Sequence, residues 1–136
     1  MKRFMLDTNT VSFLIKGHPV VARHVVAVPL SSLCISAITE GELRYGLAKR
    51  PDATRLHQLV REFLRRVNVL PWDTVVAARY GVVRAALAAQ GKTLAPLDLL
   101  IAAHALAAEA ILVTNDGAFA QLPDLLSEDW TIAFPS

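Results

Sequence analysis

Short apolar segments alternate with longer amphipathic segments along the whole chain. The short segments have the length and composition of buried strands. They are RFML (3–6), LCIS (33–36), the weaker NVL (68–70) and ILV (111–113), with TIAF (131–134) as a possible edge strand. The pattern therefore predicts four strands and a possible fifth.

The longer segments follow helical spacing, and three of them are clear. They are residues 52–67, 73–90 and 96–109. The first has the most regular apolar stripe, with charged residues on the opposite face. Asp73 or Thr74 is a suitable cap for the second helix, which Gly91 ends. Pro96 opens the third helix, whose alanines permit close packing. A further helix is expected to begin near Ala37, directly after LCIS.

The alternation of strands and helices favours an α/β fold around a parallel sheet with right-handed crossovers. At 136 residues, with no internal repeat and no long linker, the chain is expected to form a single domain, residues 1–136. A composition of 54% apolar and 19% charged residues excludes a mostly disordered protein.

Composition also limits the possible locations and partners. The most apolar long segment, Leu97 to Val113, contains Asp98, His104 and Glu109, which argues against a membrane span. A net charge of +2 and a pI near 9.0 permit an anionic partner without indicating one strongly.

The N-terminus and the cysteine content suggest a cytoplasmic protein. MKRFMLD begins like a secretion signal, but Asp7 interrupts the apolar stretch and no cleavage site follows. The single cysteine, Cys34, lies in an apolar run and is expected to be buried, which fits a reducing compartment.

Two acidic residues follow predicted strands. Asp7 comes directly after RFML, and Asp116 comes after ILV with only two residues between. Because ligands of parallel sheets bind beyond the carboxyl ends of the strands, both carboxylates are expected at one edge. Asp98 and either Glu40 or Glu42 can reach the same edge. Residues two apart on a helix are about 200° apart, so only one of these glutamates can face it.

Each acid also has a purely structural explanation. Asp7 and Asp116 could cap the helices that follow their strands, and Asp98 could complement a helix dipole. Taken together, however, converging carboxylates repel one another and normally hold a cation. Since no histidine or cysteine cluster accompanies them, Mg²⁺ or Mn²⁺ is favoured over zinc.

A divalent cation held by carboxylates suggests hydrolysis of a phosphodiester by a metal-activated water. The chain offers no competing nucleophile, since it has neither a GxSxG motif nor a Walker phosphate loop.

Among the scattered histidines, His104 is expected to be a hydrogen-bonded core residue. Trp72 and Trp130 are expected to pack. A basic group could hold an RNA backbone, although a solvated helix face is the favoured interpretation. It comprises Lys49, Arg50, Arg61, Arg65 and Arg66.

Five segments of the chain resemble the PIN-domain family, and most closely its VapC-type ribonuclease toxins of bacterial toxin–antitoxin modules. They are MLDTN (5–9), ISAITEGELRYGLAKR (35–50), VLPWD (69–73), PLDLLIAAHALA (96–107) and ILVTND (111–116). The resemblance implies a PIN-like three-layer αβα sandwich and an endoribonuclease that depends on Mg²⁺ or Mn²⁺. It places the catalytic and metal-binding acids at Asp7, Glu42, Asp98 and Asp116.

The resemblance also implies partners and supporting residues. Thr8, Asn9, Thr114 and Asn115 become candidates for orienting the carboxylates. Such toxins usually form homodimers, and a VapB-type antitoxin occupies a groove near the active site and carries the DNA binding. A tRNA substrate is implied in the same way.

Two other functions compete with this one. A phosphatase of the haloacid dehalogenase type also has an aspartate after its first strand, but it needs a second aspartate where this chain has Asn9. The other alternative is a catalytically silent PIN-like interaction module. The presence of all four acids argues against it.

Overall fold

The computed structural model describes residues 2–134 of the chain. The strands are β1 (Phe4–Leu6), β2 (Leu33–Ser36), β3 (Asn68–Leu70), β4 (Ile111–Val113) and β5 (Ser127–Glu128). The helices are α1 (Thr8–Ile15), α2 (Pro19–Val26), α3 (Ala37–Ala48), α4 (Thr54–Arg66), α5 (Thr74–Ala89) and α6 (Pro96–Ala107). Short 3₁₀ turns occupy Leu30–Ser32 and Gly117–Gln121.

The five strands form one parallel sheet in the order β3-β2-β1-β4-β5. The predicted α/β class and parallel sheet are confirmed. From β1 the chain builds outward first to β2 and β3, and later to β4 and β5 on the other side. The strand order thus reverses between β1 and β4, and a crevice opens at their carboxyl ends. Leu6 pairs with Val113 there, so the residues that follow them are neighbours.

Helices cover both faces of the sheet. Because successive strand residues point to opposite faces, neighbouring residues of β1 enter different cores. Met5 joins the core beneath α5 and α6, together with Cys34 and Leu112. Phe4 and Leu6 join the other core, to which α1, α3 and α4 contribute. This is the predicted three-layer αβα arrangement.

The predicted edge strand at 131–134 is wrong. The edge strand is β5, Ser127–Glu128, which pairs with β4. After it the chain turns, because the Asp129 carboxylate accepts a hydrogen bond from the Thr131 amide at 2.9 Å. Trp130 is then buried against Phe4, with ring centroids 5.3 Å apart. Within the segment itself Ile132 and Phe134 are exposed, and the Phe134 ring stacks on His24 with ring centroids 4.0 Å apart.

The three helices predicted from periodicity are present, each within two residues of its predicted ends. Helices α1 and α2 had no predicted bounds, since their eight residues are too few for a clear periodic pattern. Helix α1 had entered only as the helix that Asp7 could cap. Gly91 ends α5 as expected. Its φ of 66° is left-handed, and the following Lys92 amide donates to Leu87 O at 2.9 Å.

The predicted core residues behave as expected. His104 is buried, and its Nδ1 lies 2.7 Å from Ser36 Oγ. Burial lowers the pKa of His104, which the negative charge of Asp73 partly opposes. Cys34 is buried, and desolvation raises the pKa of its thiol to about 11. Trp72 donates to Leu100 O at 3.0 Å. No helix within residues 2–134 has the length and apolarity needed to cross a membrane.

Candidate active site at the carboxyl edge of the sheet

Asp7 lies where β1 passes into α1 and is buried, with 5% of its surface exposed. Its amide donates to Val113 O at 3.0 Å, which continues the pairing of β1 with β4. Its Oδ1 accepts a hydrogen bond from the Thr10 amide at 2.8 Å, so Asp7 is the N-cap of α1. The Thr10 hydroxyl also donates to Val113 O, at 3.0 Å. These contacts hold the Asp7 carboxylate in place at the crevice.

Asp116 follows β4 on the neighbouring strand and is more exposed. Its amide donates to Thr114 Oγ1 at 3.0 Å, and its Oδ1 accepts from the Ala118 amide at 2.9 Å. Asp116 therefore caps the 3₁₀ turn at Gly117–Gln121. As with Asp7, capping engages one carboxylate oxygen and leaves the other free.

Helix α3 contributes Glu42 and not Glu40 to this edge. Thr8 Oγ1 donates to Glu42 Oε1 at 2.7 Å, which joins the first turn of α1 to α3. Glu40 is instead paired with Arg44 at 2.8 Å. The choice between the two glutamates, left open by the helical pattern, is thus made by the contacts of α3.

Asp98, in the first turn of α6, shows that the four acids converge. Its pKa is raised above the ordinary value, first by burial and then by the negative charges of Asp116, Asp7 and Glu42. Because these charges act on Asp98 from three other elements, the fold brings the acids to one region. Asp7, Glu42 and Asp116 thus lie within electrostatic range of Asp98, and their role as metal ligands stays a prediction.

The arrangement is open and not a closed cage. Within residues 2–134, no three His, Cys, Asp or Glu side chains form a compact metal-binding cluster. Three of the acids give one oxygen to a hydrogen bond from the protein: Asp7, Glu42 and Asp116. An open set of carboxylate oxygens fits Mg²⁺, which keeps several of its waters and uses one or two protein carboxylates. The uncompensated repulsion at Asp98 likewise fits a site suited to a cation.

The four polar residues expected to orient the carboxylates do not contribute equally. Thr8 holds Glu42 directly, and Thr114 holds the backbone of Asp116. Asn9 and Asn115 are exposed, and neither contacts a carboxylate in the described part of the chain. Thr10, which sequence reasoning missed, fixes Asp7. The sequence did contain a signal for this contact, because Thr10 lies three residues after Asp7, and an N-cap side chain accepts a hydrogen bond from a backbone amide at that spacing.

Comparison with known proteins agrees with this geometry. The PIN domain family matches residues 4–125, which include all four acids. The chain belongs to the PIN-domain family. It is 38% identical over 132 residues to the tRNA(fMet)-specific endonuclease VapC of Shigella flexneri, covering 96% of this chain and 100% of that protein. It is 40% identical over 131 residues to the protein of the same name from Salmonella typhimurium, covering 96% and 99%.

Solved structures of VapBC complexes are also similar to this chain. DNA-bound VapBC from Salmonella typhimurium superposes on this PIN-domain chain with a TM-score of 0.88 at 39% identity, covering 96% of this chain and 99% of that one. VapBC2 from Rickettsia felis, bound to a DNA fragment from its promoter, gives 0.85 at 32% identity, covering 93% and 98%. The chain is thus a PIN-domain protein of the VapC type.

Proposed function

We propose that this protein is an endoribonuclease toxin of a VapBC-type toxin–antitoxin system, which hydrolyses RNA phosphodiester bonds with Mg²⁺ or Mn²⁺. The observation that carries the proposal is the convergence of carboxylates from four elements at the crevice between β1 and β4. Three of them act on Asp98 and raise its pKa. Relatives named as endonucleases or ribonucleases match over nearly the whole chain, which supports the same activity.

Asp7, Glu42, Asp98 and Asp116 would together hold the cation. When bound, the divalent cation would neutralise charge on the phosphate and supply a water of lowered pKa as nucleophile. The protein side chains then act by positioning. The Thr10 amide fixes Asp7, and the Thr8 hydroxyl fixes Glu42. Since both anchors are hydrogen bonds from the same helix, α1 aligns two of the four acids.

The test is cleavage of RNA by the purified chain. We expect cleavage with Mg²⁺ or Mn²⁺ and none after a chelator is added. Asp7→Asn is the decisive variant, because asparagine caps a helix as well as aspartate does. The variant should therefore fold normally and lose activity by at least about 100-fold, since it loses a ligand charge. Full activity of Asp7→Asn would overturn the mechanism, and an inactive native chain would favour the silent interaction module.

The RNA substrate belongs to the same proposal. A tRNA substrate is favoured because two relatives matched over nearly the whole chain carry the name tRNA(fMet)-specific endonuclease. Brief induction in cells, followed by sequencing of the new RNA ends, tests this. Ends within tRNA should dominate, and ends confined to mRNA or rRNA would contradict it.

A VapB-type antitoxin is the proposed partner, because the structural relatives are VapBC assemblies. An apolar groove of about 350 Å³ between α1, α2 and α4 suits a segment of such a partner. Leu14, Val25, Leu59 and Phe63 line it. We also propose a homodimer in the cytoplasm, which sedimentation of the isolated complex and cell fractionation would test.

A further inference from the structure

A second, chemically different cleft adjoins the acids. It has a volume of about 200 Å³ and lies between α1, α3 and α4. Thr8 and Glu42 line it, and so do three cations: Lys16, Lys49 and Arg50. One cleft thus contains a candidate catalytic acid together with a basic rim.

The order of these residues along their helices places the opposite charges at opposite ends of the cleft. Thr8 begins α1 and contacts Glu42 of α3 at 2.7 Å. Both helices then run on to a lysine, because Lys16 is the C-cap of α1 and Lys49 the C-cap of α3. At 1.5 Å per residue, the lysines lie about 10–12 Å along the helix axes from the Thr8–Glu42 contact.

The positive charge of this rim is not neutralised within the protein. Among residues 2–134 the ion pairs join Glu40 and Glu62 to Arg44, Arg65 and Arg66, and none includes a rim cation. Lys16, Lys49 and Arg50 are exposed, and the Lys49 ammonium lies 4.7 Å from the centre of the Tyr45 ring. The rim is therefore free to attract an anion.

The basic surface continues beyond the cleft. A neighbouring cavity shares Ile15, Lys16 and Leu56 with it and adds the exposed Arg55. The cations therefore form a track that leads away from the acids. A track of repeated positive charge matches a polymer that carries one negative charge at every unit.

We propose that Lys16, Lys49 and Arg50 bind the RNA backbone beside the scissile phosphate. The inference rests on the proposed ribonuclease function. It adds on which side of the acids the RNA strand runs. The scissile phosphate lies at the acids, and a neighbouring phosphate of the same strand meets the rim. RNA suits the cleft better than a protein segment, which would need basic residues facing the acids and acidic residues facing the rim.

Arg65 and Arg66, at the C-terminal end of α4, do not belong to this surface. Arg65 and Arg66 are both paired with Glu62, at 3.1 and 2.8 Å, so a solvated helix face is the better description of them. Lys49 and Arg50 belonged to the same expected basic group but line the cleft. Lys16 was not part of that group, because nothing in the sequence places it near Glu42.

A structural explanation of the lysines must be separated from this one. Cations at the C-terminal ends of helices stabilise them through the macrodipole. On that explanation, removing the Lys16 and Lys49 charges lowers thermal stability and leaves RNA binding unchanged. Lys→Gln substitution keeps much of the side-chain length and removes the charge, so the two explanations predict different measurements.

The test compares two double variants that lose the same charge. Lys16→Gln/Lys49→Gln removes the rim lysines. Arg79→Gln/Arg84→Gln removes two exposed arginines of α5, on the other face of the sheet. Both are placed in the Asp98→Asn chain, and binding of a fluorescent single-stranded RNA is measured by anisotropy at several salt concentrations. We expect binding about tenfold weaker for the rim variant, with a salt slope smaller by about 0.7 for each phosphate that it no longer neutralises. The α5 variant should stay within about twofold of the parent.

A cleavage assay in the native background locates the contact. For a long RNA, the rim variant should raise KM about tenfold with kcat nearly unchanged. For a dinucleotide, which has no flanking phosphate, native and variant proteins should be equal. The substrate-length dependence distinguishes a flanking contact from damage to the acids.

Failure of the RNA-binding proposal and failure of the ribonuclease proposal give different results. Equal weakening in both double variants would mean unspecific attraction and would overturn the assignment. So would unchanged RNA binding with a lower melting temperature, or a loss confined to binding of a protein partner. If the rim variant loses RNA binding but the native chain never cleaves RNA, the proposed activity fails while the binding surface stands.

Discussion

The capping aspartates contribute to the fold and to the site through different oxygen atoms. Asp7 Oδ1 accepts the Thr10 amide, and Asp116 Oδ1 accepts the Ala118 amide. On sequence grounds, capping and ligand binding were alternative roles for these residues. They are compatible, because a carboxylate has two oxygens and a cap uses one. The cap also orients the other oxygen.

Asp98→Asn tests the repulsion among the acids. The folded protein raises the pKa of Asp98, so ionisation of this group costs stability as the pH rises through that pKa. Without metal at pH 7, the variant should therefore melt at the same temperature or up to about 2 °C higher, a small effect because the group is partly solvated. Differential scanning calorimetry measures the shift.

The pH dependence of this shift provides the control. Below the ordinary value of 3.8, Asp98 is protonated in both the folded and the unfolded chain, and the difference from Asp98→Asn should disappear. A marked drop in the melting temperature of the variant at pH 7 would instead indicate that Asp98 mainly supports the start of α6.

Thr8→Val tests the anchor of Glu42. Valine has nearly the shape of threonine but cannot donate the 2.7 Å hydrogen bond. We expect kcat for RNA cleavage to fall about 10- to 100-fold, with about 1 kcal/mol lost in stability. Ser12→Ala, in the same helix and the same cleft, is the matched control and should keep kcat. An unchanged kcat in Thr8→Val would show that Glu42 needs no anchor.

At the scale of elements, local signals determine where helices begin and end. Asp73 caps α5 by accepting the Val76 amide at 3.2 Å, and Gly91 ends the helix in the left-handed conformation. Pro96 begins α6. These positions were predictable because caps and turns depend on the nearest few residues. Helices α1 and α2 were not located from periodicity because each has only eight residues, too few for a periodic pattern to stand out.

Gly81 lies inside α5 and Gly91 follows its C-terminal end, so the two allow a matched test of how a local residue ends the helix. Gly91→Ala should destabilise the protein by about 1 kcal/mol, because its φ of 66° strains any side chain. Gly81→Ala, inside the helix with open space around the new methyl group, should stabilise by about 0.5–1 kcal/mol. Urea denaturation measures both. Equal signs for the two variants would contradict the assignment of Gly91 as the helix-ending residue.

At the scale of the whole molecule, the site exists because the sheet brings distant segments together. β1 and β4 are adjacent although they lie near opposite ends of the chain, and α3 and α6 add their acids above the same edge. The free energy of the fold thus opposes the repulsion among four carboxylates. A bound cation would relieve that repulsion, which links metal binding to global stability.

The linked prediction is a metal-dependent melting temperature. At about 100 times its dissociation constant, Mg²⁺ should stabilise the native chain by about 2.7 kcal/mol. Asp7→Asn/Asp98→Asn should show almost no response in differential scanning fluorimetry. The control Asp52→Asn/Asp124→Asn removes two exposed acids and should respond like the native chain. A response that survives loss of Asp7 and Asp98 would place the metal elsewhere.

Four strands, four helices, the α/β class and the candidate acids could be predicted from the sequence, because period, caps and turn residues are local properties. Two other points depended on contacts between distant segments. Segment 131–134 looked like a strand, but it forms none, and its Phe134 ring stacks on His24, far away in the chain. Helical spacing left Glu40 and Glu42 as alternatives, and only the resemblance to the PIN-domain family chose Glu42. In the structure, Thr8 of another helix holds Glu42.

The sequence by itself determined which residue types were present for the proposed metal-assisted hydrolysis and which elements would carry them. Only the tertiary structure decided which of those residues meet. Glu42 joins the acids because Thr8 of another helix holds it, and Lys16 faces the same cleft because α1 packs beside α3. Such choices depend on contacts between segments far apart in the chain, whose energies no local pattern contains.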